Sequence, residues 1–366
     1  MKPTIWIFSL EPIETRYTQQ WHEHIPKLLS DNLDNKFNVV QIDGIQKNSQ
    51  LTPGAFLNFS DTNYWKSSQL CNFLEHHNNG ETSVDDHILF TDAWNPTVIQ
   101  LKYMNDLLGF NWTLHGLWHA GSYDPQDFLG RLVGNKPWVR HAEKSFFSCF
   151  DHSYFATEFH VKMFFDNLIH NYPEENPWYE EDWAERYDSG KIVLTGWPME
   201  YMTEKLSSYK GMQKRDLILF PHRIAPEKQV EIFRDLKVQL PQYEFVVCQD
   251  QQLTKDEYHS LLGQSKIVFS ANLQETLGIS CYEGSVVDAI PMVPDRLSYS
   301  EMYHDGFKYP SEWTQDWDSY LIHRQELCHH IIVTMTHYEK RLPVLKKQTS
   351  DLTETFFSAT NLITQF

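Results

Sequence analysis

Two segments in the second half of the chain carry residue types that bind phosphates and sugar hydroxyls. In the first segment, the apolar run Leu217–Phe220 is followed by Arg223, and Lys228 comes five residues later. An arginine can hold phosphate oxygens through two parallel hydrogen bonds, and a lysine beside it adds a compact positive charge. His222 could contact the same phosphate or only order the loop. This segment therefore predicts an anion site at the end of a strand.

The second segment places two carboxylates eight positions apart around a predicted helix start, Glu275 before it and Glu283 within it. The first N–H groups of a helix have no partner within the helix and lie at its positive end, so they suit a diphosphate. Glu283 is expected roughly 8–10 Å along the axis from the helix start, and the two carboxylates suit the hydroxyls of a sugar and a ribose. The helix start is expected to comprise Thr276, Leu277 and Gly278, whose glycine lets the backbone approach a ligand.

Either segment alone is more typical of a solvated surface than of a site. Here both follow strand-like runs, in a fixed order, within one domain-sized stretch of the chain. Their joint occurrence predicts a pocket for a nucleoside diphosphate that carries a sugar.

The same segments resemble the donor signatures of retaining GT-B glycosyltransferases, the group that includes glycogen and sucrose synthases. The resemblance rests on Arg223–Lys228 and on Glu275 with Glu283, and Pro291–Tyr299 resembles the segment that follows in those enzymes. It covers the chain from about residue 5 to about residue 300. Three further segments are closer to bacteriophage-encoded glycosyltransferases that modify DNA, and also to tRNA-queuosine mannosyltransferases: Trp118–Pro125, Ala156–His160 and Phe220–Arg223.

The resemblance implies an α/β protein of GT-B architecture, with two Rossmann-like domains that face a central cleft and a C-terminal helix that crosses back to the first domain. We expect an acceptor domain at 1–205, a donor domain at 206–345 and the returning helix at 346–366. Strand-like and helix-like segments also alternate along the chain, which is typical of parallel sheets covered on both faces. The predicted strands are Ile5–Leu10, Phe37–Ile42, His87–Thr91, Trp112–Leu117, His152–Ala156, Lys191–Thr195, Leu217–Phe220, Glu244–Val247, Lys266–Phe269 and Ile290–Val293.

In the first half of the chain, polar residues follow three of these strands. His119 comes after 112–117 and resembles the histidine that contacts the donor sugar in related retaining enzymes, although a lone histidine is often structural. Asp92 follows 87–91 and is a second candidate. Glu11, Arg16 and Tyr17 stand where the resemblance would place a glycine-rich loop, so we expect them to face a specialised acceptor.

A basic stretch at 130–141 is a candidate nucleic-acid contact. Lys136 and Arg140 could neutralise phosphates while Trp138 stacks on an exposed base; the alternative is a solvated helix face. The stretch 174–188 is rich in acidic residues and aromatic rings. We expect a surface insertion there, with an acceptor lid as the alternative.

The chemistry that the resemblance implies is transfer with retention at the anomeric carbon. Arg223, Lys228 and the helix start would stabilise the departing diphosphate, where charge grows in the transition state. With His119 and Glu275 at the sugar, these are the predicted catalytic residues. No metal is expected, because the protein itself supplies the positive charge. No cofactor is expected either, only a nucleotide-sugar co-substrate that is UDP-linked.

Composition limits the other classes of function. A net charge of −18 argues against non-specific coating of nucleic acid, whose affinity comes from neutralised phosphates. Five scattered cysteines show neither metal-ligand spacing nor a disulfide framework, and we expect a cytoplasmic protein, in the host cytoplasm if phage-encoded. No apolar run approaches the roughly 20 residues that span a bilayer, so no membrane partner is expected. The oligomeric state is left open.

The acceptor rests on the resemblance alone. Our best single expectation is a 5-hydroxymethylpyrimidine base in phage DNA. The alternatives are the same transfer to a modified tRNA base, a glycan or a small metabolite. A different class is a nucleotide-sugar binding protein or an epimerase on the same fold.

Overall fold

The computed structural model describes residues 2–13, 16–47, 49, 57–170 and 189–366, apart from the side chains at 169 and 170. The chain divides into two units, of which the first comprises Met1–Ala156, His160–Pro198 and Ala359–Phe366. The second comprises Thr157–Phe159 and Met199–Ser358. The predicted acidic insertion at 174–188 lies outside the described residues. Among the described residues, no helix combines the length and hydropathy needed to cross a bilayer.

The first unit is built on a parallel sheet. Its strands are β1 (Thr4–Phe8), β2 (Asn38–Ile42), β3 (His87–Phe90), β4 (Thr113–Leu117), β5 (His152–Phe155) and β6 (Ile192–Leu194), in the order β2-β1-β3-β4-β5-β6. Strand β1 is buried along its whole length, because helices cover both faces of the sheet and leave no face for polar side chains. The register sets Phe8 beside Ile42 on one neighbour and Phe90 on the other.

Helices follow the strands of the first sheet in alternation. They are α1 (Tyr17–Leu33), α2 (Phe59–Asn78), α3 (Thr97–Leu108), α4 (Phe128–Val133), α5 (Pro137–Cys149) and α6 (Glu158–Phe164), the last continued by a π-helical turn at Phe165–His170. Local chemistry fixes several starts: the Asn58 side chain accepts hydrogen bonds from the N–H groups of Ser60 and Asp61 at the start of α2. Pro137 occupies the first turn of α5, where its missing N–H costs nothing.

The second unit is also a parallel α/β sheet. Its strands are β7 (Leu217–Phe220), β8 (Glu244–Val247), β9 (Ile267–Phe269), β10 (Ile290–Pro294) and β11 (Lys308–Tyr309), in the order β11-β10-β9-β7-β8. Its helices are α7 (Tyr201–Lys205), α8 (Val230–Gln239), α9 (Lys255–Gln264), α10 (Ile279–Val286), α11 (Tyr299–Met302), α12 (Trp317–Thr336) and α13 (Tyr338–Phe356). The predicted α/β class with two parallel sheets is confirmed.

After α13 the chain returns to the first unit. The final helix, α14 (Thr360–Ile363), belongs to that unit together with the residues on either side of it. The ring of Phe366 packs 4.6 Å from His115 of β4 and 6.4 Å from Phe37, centroid to centroid. The predicted return of the C-terminus to the first domain is present in Ala359–Phe366, whereas residues 346–358 of the predicted returning helix belong to the second unit.

Each unit has its own apolar core. In the first, aromatic rings dominate, among them Phe73, Phe90, Trp118 and Phe155. In the second, the core is built from β7, β9 and the helices that cover them, with Phe233 of α8 in contact with Phe245 and Phe269. Both sheets are thereby held rigidly, and the loops at the carboxyl ends of their strands carry the polar residues described next.

Candidate active site

The loop after β7 carries Arg223, whose guanidinium is held by a buried carboxylate. Its Nε and Nη2 groups donate to Oε1 of Glu227 at 3.1 and 2.5 Å. Glu227 is almost completely buried, whereas about a third of the Arg223 side chain, 31%, is exposed. Because Glu227 occupies one edge of the guanidinium, Arg223 is oriented before any ligand binds. The exposed part can still donate to an anion.

Lys228 ends the short 3-10 turn Pro226–Lys228, and its side chain crosses to the loop after β9. The ammonium donates to the carbonyl oxygen of Gln274 at 2.6 Å and lies 3.5 Å from Oε2 of Glu275. The Lys228 side chain is only 8% exposed, so its charge is little screened by solvent. The structure thus brings the two predicted donor segments into contact, through a lysine of one and a glutamate of the other.

Glu275 lies just before the start of α10. The backbone N–H groups of Leu277 and Gly278 stabilise its ionised carboxylate. Burial acts to raise the pKa of Glu275, but Lys228 and these N–H donors outweigh it and hold the pKa below its ordinary value. Two of the N–H groups that the sequence assigns to a diphosphate therefore point at a protein carboxylate in this structure.

Gly278 is the N-cap of α10 and requires glycine for two reasons. Its φ of 78° lies in the left-handed region, and a Cβ there would lie 2.7 Å from the Tyr299 ring. Thr276, two residues before Gly278, is buried, and its carbonyl accepts a hydrogen bond from the Thr157 hydroxyl at 3.0 Å, both threonines belonging to the second unit. The close packing around this helix start explains why residue 278 is a glycine.

The second carboxylate of the predicted pair, Glu283, faces helix α9. The hydroxyl of Tyr258 donates to its Oε2 at 2.8 Å, and burial raises the pKa of Glu283. Helix α10 begins at Ile279, so Glu283 lies four residues, about 6 Å, along the axis. This distance is shorter than the expected 8–10 Å because the predicted start, at Thr276–Gly278, was one to three residues too early.

Two buried polar atoms near Glu275 have no hydrogen-bond partner among the described residues. They are Nε2 of His222 and Oδ1 of Asn272. Burial lowers the pKa of His222 to about 3, with a further contribution from Lys228, so its imidazole is neutral. Asn272 donates from Nδ2 to Glu275 Oε2 at 3.3 Å, so its side chain lies next to the same carboxylate. A neutral donor or acceptor left unmet in this way is costly unless a ligand satisfies it.

Arg296, which lies within the Pro291–Tyr299 segment, is a structural residue of this site. From the loop after β10, its guanidinium donates to the carbonyl oxygens of Ala271 and Asn272, each at 2.8 Å, and to those of Ser311 and Thr314 at 2.9 and 3.0 Å. It thereby fixes the backbone of the loop that carries Glu275. The Arg296 guanidinium donates mainly to backbone carbonyls, and burial lowers its pKa.

A separate cavity lies in the first unit, at the carboxyl ends of β1, β3 and β4. Its volume is about 380 Å³, and its lining is largely apolar and aromatic. Six predicted residues line it: Glu11, Arg16, Tyr17, Asp92, His119 and Trp138. These residues are up to 127 positions apart in sequence and meet because parallel strands deliver their loops to one edge of the sheet.

Both ring nitrogens of His119 are engaged. Nε2 donates to the Thr91 carbonyl at 2.8 Å, so Nδ1 is the acceptor of the hydrogen bond from the Tyr17 hydroxyl at 3.0 Å. Burial lowers the pKa of His119, with Asp92 acting in the opposite sense. His119 is therefore a neutral imidazole whose ring also packs 4.6 Å from Trp197.

Asp92 is paired with a lysine that sequence reasoning missed. The Lys66 ammonium donates to Asp92 Oδ2 at 2.9 Å and also to the Trp94 carbonyl, and it lies 5.4 Å from the Trp94 ring. Lys66 is buried on α2 and lines the same cavity. The sequence did offer one indication of this role. Lys66 lies on the same inward-facing side of α2 as Gln69 and Phe73, and a buried lysine needs an anionic partner.

The predicted basic surface at 130–141 is only partly formed. Lys136 is exposed at the N-cap of α5 and Trp138 is 60% exposed, but Arg140 and the neighbouring Lys144 are both buried. Helix α5 turns these two side chains inward, since they lie on the same face as buried Val139, Glu143 and Phe147. The expectation that Arg140 belongs to an exposed nucleic-acid surface was wrong, and neither Lys136 nor Arg140 lines the cavity.

In the part of the chain that the structure describes, no group of three or more His, Cys, Asp or Glu side chains is arranged to hold a metal ion. The positive charge near Glu275 comes from side chains, Lys228 above all.

Comparison with known proteins places this arrangement in a structural class. No family model matches the sequence, and no curated protein matches it. Solved structures do: sucrose-phosphate synthase from Thermosynechococcus elongatus has a TM-score of 0.60 at 10% identity, covering 100% of this chain and 97% of that one. The chain has the GT-B fold.

Two further GT-B structures are similar to this chain. The catalytic domain of starch synthase IV from Arabidopsis thaliana, bound to ADP and acarbose, has a TM-score of 0.57 at 11% identity, covering 99% of this chain and 97% of that one. The pneumococcal O-GlcNAc transferase GtfA, in complex with UDP and GlcNAc, has a TM-score of 0.51 at 13% identity. That comparison covers 82% of this chain but only 59% of the pneumococcal protein.

Proposed function

We propose that this chain is a glycosyltransferase that moves a sugar from a nucleotide-sugar donor to a hydroxyl group, with retention and without a metal ion. The observation that carries the proposal is the contact between Lys228 and Glu275 at the start of α10. It sets a cation for phosphate beside a carboxylate for sugar hydroxyls, on a GT-B fold. The orphaned His222 Nε2 and Asn272 Oδ1 beside them suit the hydroxyls and phosphate oxygens of such a donor.

In the proposed reaction the bond between the anomeric carbon and the diphosphate breaks, and the diphosphate leaves with the electron pair. Arg223 and Lys228 stabilise the charge that grows on it. The acceptor oxygen then bonds to the anomeric carbon from the same face, and its proton passes to the departing phosphate oxygen. Glu275 holds sugar hydroxyls throughout, and Glu283 holds the ribose.

The donor is proposed to be UDP-linked. Among the similar structures, the pneumococcal transferase was solved with UDP and the plant starch synthase with ADP. The acceptor is proposed to bind in the cavity of the first unit, where His119 and Asp92 lie. Rings of Tyr17, Trp94 and Trp138 line it and suit a planar base. A 5-hydroxymethylpyrimidine in DNA is the acceptor class that we propose first.

The decisive experiment is a panel of UDP- and ADP-linked sugars mixed with the purified chain, with free nucleotide measured over time. Three acceptor conditions are compared: none, unmodified DNA, and DNA that contains 5-hydroxymethylpyrimidines. Nucleotide release only with the modified DNA supports the proposal. Release with tRNA, a glycan or a small alcohol instead would reassign the acceptor, and a donor returned with altered sugar stereochemistry would indicate an epimerase. Binding without release under every condition would indicate a binding protein.

Retention and metal independence are tested on the same reaction. The anomeric proton coupling of the product, measured by NMR before the sugar equilibrates, is expected to match that of the donor. Rates in excess EDTA are expected to equal those in Mg²⁺. An inverted product or an EDTA-sensitive rate would contradict the corresponding part of the proposal.

A further inference from the structure

A buried glutamate behind the cavity of the first unit has no role in the proposed reaction. Glu143 of α5 is fully buried, and its Oε1 atom accepts three hydrogen bonds. The donors are the Ser122 N–H at 2.9 Å, the Ser122 hydroxyl, and the Trp94 indole N–H at 2.9 Å. A buried carboxyl that gathers donors from two loops is expensive to desolvate, so its place needs an explanation.

These two loops are the ones that carry the predicted acceptor residues. Trp94 follows Asp92 after β3, and its N–H donates to Asp92 Oδ1 at 3.1 Å. Ser122 follows His119 after β4, and a Cβ at the intervening Gly121 would lie 3.0 Å from Glu143 Oε1. The loops touch each other directly as well, through the His119 bond to the Thr91 carbonyl. Glu143 is thus the point behind the cavity at which both loops are joined.

The effect reaches the cavity through Trp94. Its ring lines the cavity, its carbonyl accepts from Lys66, and its indole N–H is held by Glu143. This hydrogen bond favours one orientation of the indole ring and so restrains the wall of the cavity. Lys66 and Asp92 are fixed by the same loop.

We propose that Glu143 is a positioning residue for the acceptor site, which joins the loop that carries Asp92 and Trp94 to the loop that carries His119. It touches neither donor nor acceptor. The inference rests on the proposed function for its kinetic consequence, which is a change in acceptor binding with no change in donor binding. Its structural consequence, a fixed Trp94, stands without any assumption about the reaction.

Three variants of the full chain test it. Glu143→Gln keeps an acceptor oxygen for the three donors, and Glu143→Met keeps the side-chain length without an acceptor. Phe147→Leu is the matched control, since it removes packing from the same helix and touches none of these bonds. Each protein is labelled with 5-fluorotryptophan for ¹⁹F NMR, and the Trp94 resonance is identified by its loss in Trp94→Phe.

We expect Glu143→Met to shift the Trp94 resonance and to raise the KM for acceptor by about tenfold, which corresponds to about 1.4 kcal/mol. The KM for donor should stay unchanged. Glu143→Gln should restore both the resonance and the KM, and Phe147→Leu should alter neither. A KM that rises equally for donor and acceptor, an unmoved resonance, or a Gln variant as impaired as the Met variant would overturn the inference.

The two proposals fail separately. If the wild-type chain transfers no sugar from any donor, the proposed function fails, while the ¹⁹F spectra still decide the role of Glu143. If Glu143→Met does not fold, Ser122→Ala removes one of the three donors to the same oxygen. Ser122→Ala should shift the Trp94 resonance away from its wild-type position, where Glu143→Gln leaves it. An unchanged spectrum of Ser122→Ala would reject the inference.

Discussion

The ammonium of Lys228 lies 3.5 Å from the carboxylate of Glu275, and the two residues come from loops that follow the paired strands β7 and β9. In the absence of a donor the two charges satisfy each other. A diphosphate that reached Lys228 would compete with Glu275 for it, and sugar hydroxyls would replace the lysine at the carboxylate. The pair therefore keeps a buried cation and a buried anion compatible with folding.

Removing either cation should weaken binding of the free nucleotide. Arg223→Ala and Lys228→Met are each expected to raise the Kd for UDP by about 10- to 100-fold, because a hydrogen bond to a charged group contributes about 1.5–3 kcal/mol. Calorimetric titration with UDP and ADP measures this. Arg234→Ala is the control, since it removes a half-exposed arginine of the same unit that pairs with Asp250. Equal Kd values in all four proteins would remove the phosphate role.

A side chain at residue 278 should destabilise the second unit. Gly278→Ala combines a positive φ with a contact 2.7 Å from the Tyr299 ring. Gly211→Ala is a matched control, because its φ is +81° and a Cβ there meets nothing within 4 Å. Gly211→Ala is expected to cost about 1–2 kcal/mol from the backbone alone, and Gly278→Ala measurably more. Urea unfolding gives both values, and equal losses would contradict the role assigned to Tyr299.

Stability at acid pH should depend on Glu275. Its folded-state pKa is below the ordinary value of 4.5, so its ionised form stabilises the fold above that pH. The contribution is lost as the pH falls through the folded-state pKa. The free energy of unfolding of the wild type should therefore fall more steeply below pH 4.5 than that of Glu275→Gln. Urea unfolding between pH 6 and pH 3 tests this, with the exposed Glu326→Gln expected to follow the wild type.

Tyr17 should hold down the basicity of His119. Its hydroxyl donates to Nδ1, the nitrogen that would take up a proton, and so favours the neutral ring. Burial is the main cause of the lowered pKa of His119 and remains in Tyr17→Phe, but loss of this donor should still raise that pKa. NMR titration of the imidazole Cε1–H follows the change. Tyr64→Phe, at a half-exposed tyrosine, is the control and should leave the pKa of His119 unchanged.

Substitutions of Arg140 and Lys136 should have different effects on stability and on DNA binding. Arg140→Ala is expected to lower the free energy of unfolding by about 1–3 kcal/mol, because it removes a buried side chain. Lys136→Ala, at an exposed residue, should change it by less than about 0.5 kcal/mol. If the chain binds DNA through Lys136, that variant should also reduce the salt dependence of binding by about one phosphate contact. A stable Arg140→Ala with weakened DNA binding would restore the surface interpretation.

Strands were the part of the fold that the sequence predicted most closely. The bounds of β7 and β8 coincide with their predicted runs, because a buried parallel strand is a continuous apolar segment. Strand β11 was not predicted, because a strand of two residues, Lys308–Tyr309, is too short to show a hydrophobic pattern. It exists because Val293 and Pro294 of β10 provide an edge for it to pair with.

Candidate site residues could be selected from the sequence where they belong to a recognisable motif. They could not be selected where their importance depends on a contact that only the fold creates. Arg223, Lys228 and Glu275 are recognisable by spacing. Lys66 and Glu143 are not, because their importance comes from Asp92 and Ser122, which lie 26 and 21 positions away. The burial of Arg140 was missed for a related reason, since charge composition alone does not say which face of α5 points inward.

The guanidinium of Arg296 restrains an irregular stretch of backbone. Residues 271–275 form neither helix nor strand, yet two of their carbonyls are bonded to one side chain from behind. Amide hydrogens in this stretch should exchange with solvent as slowly as those of the adjoining strand, and proteases should not cleave there. Laboratory selection for a new donor sugar would accordingly succeed by exchanging side chains on this loop, while insertions or deletions in it would be rejected.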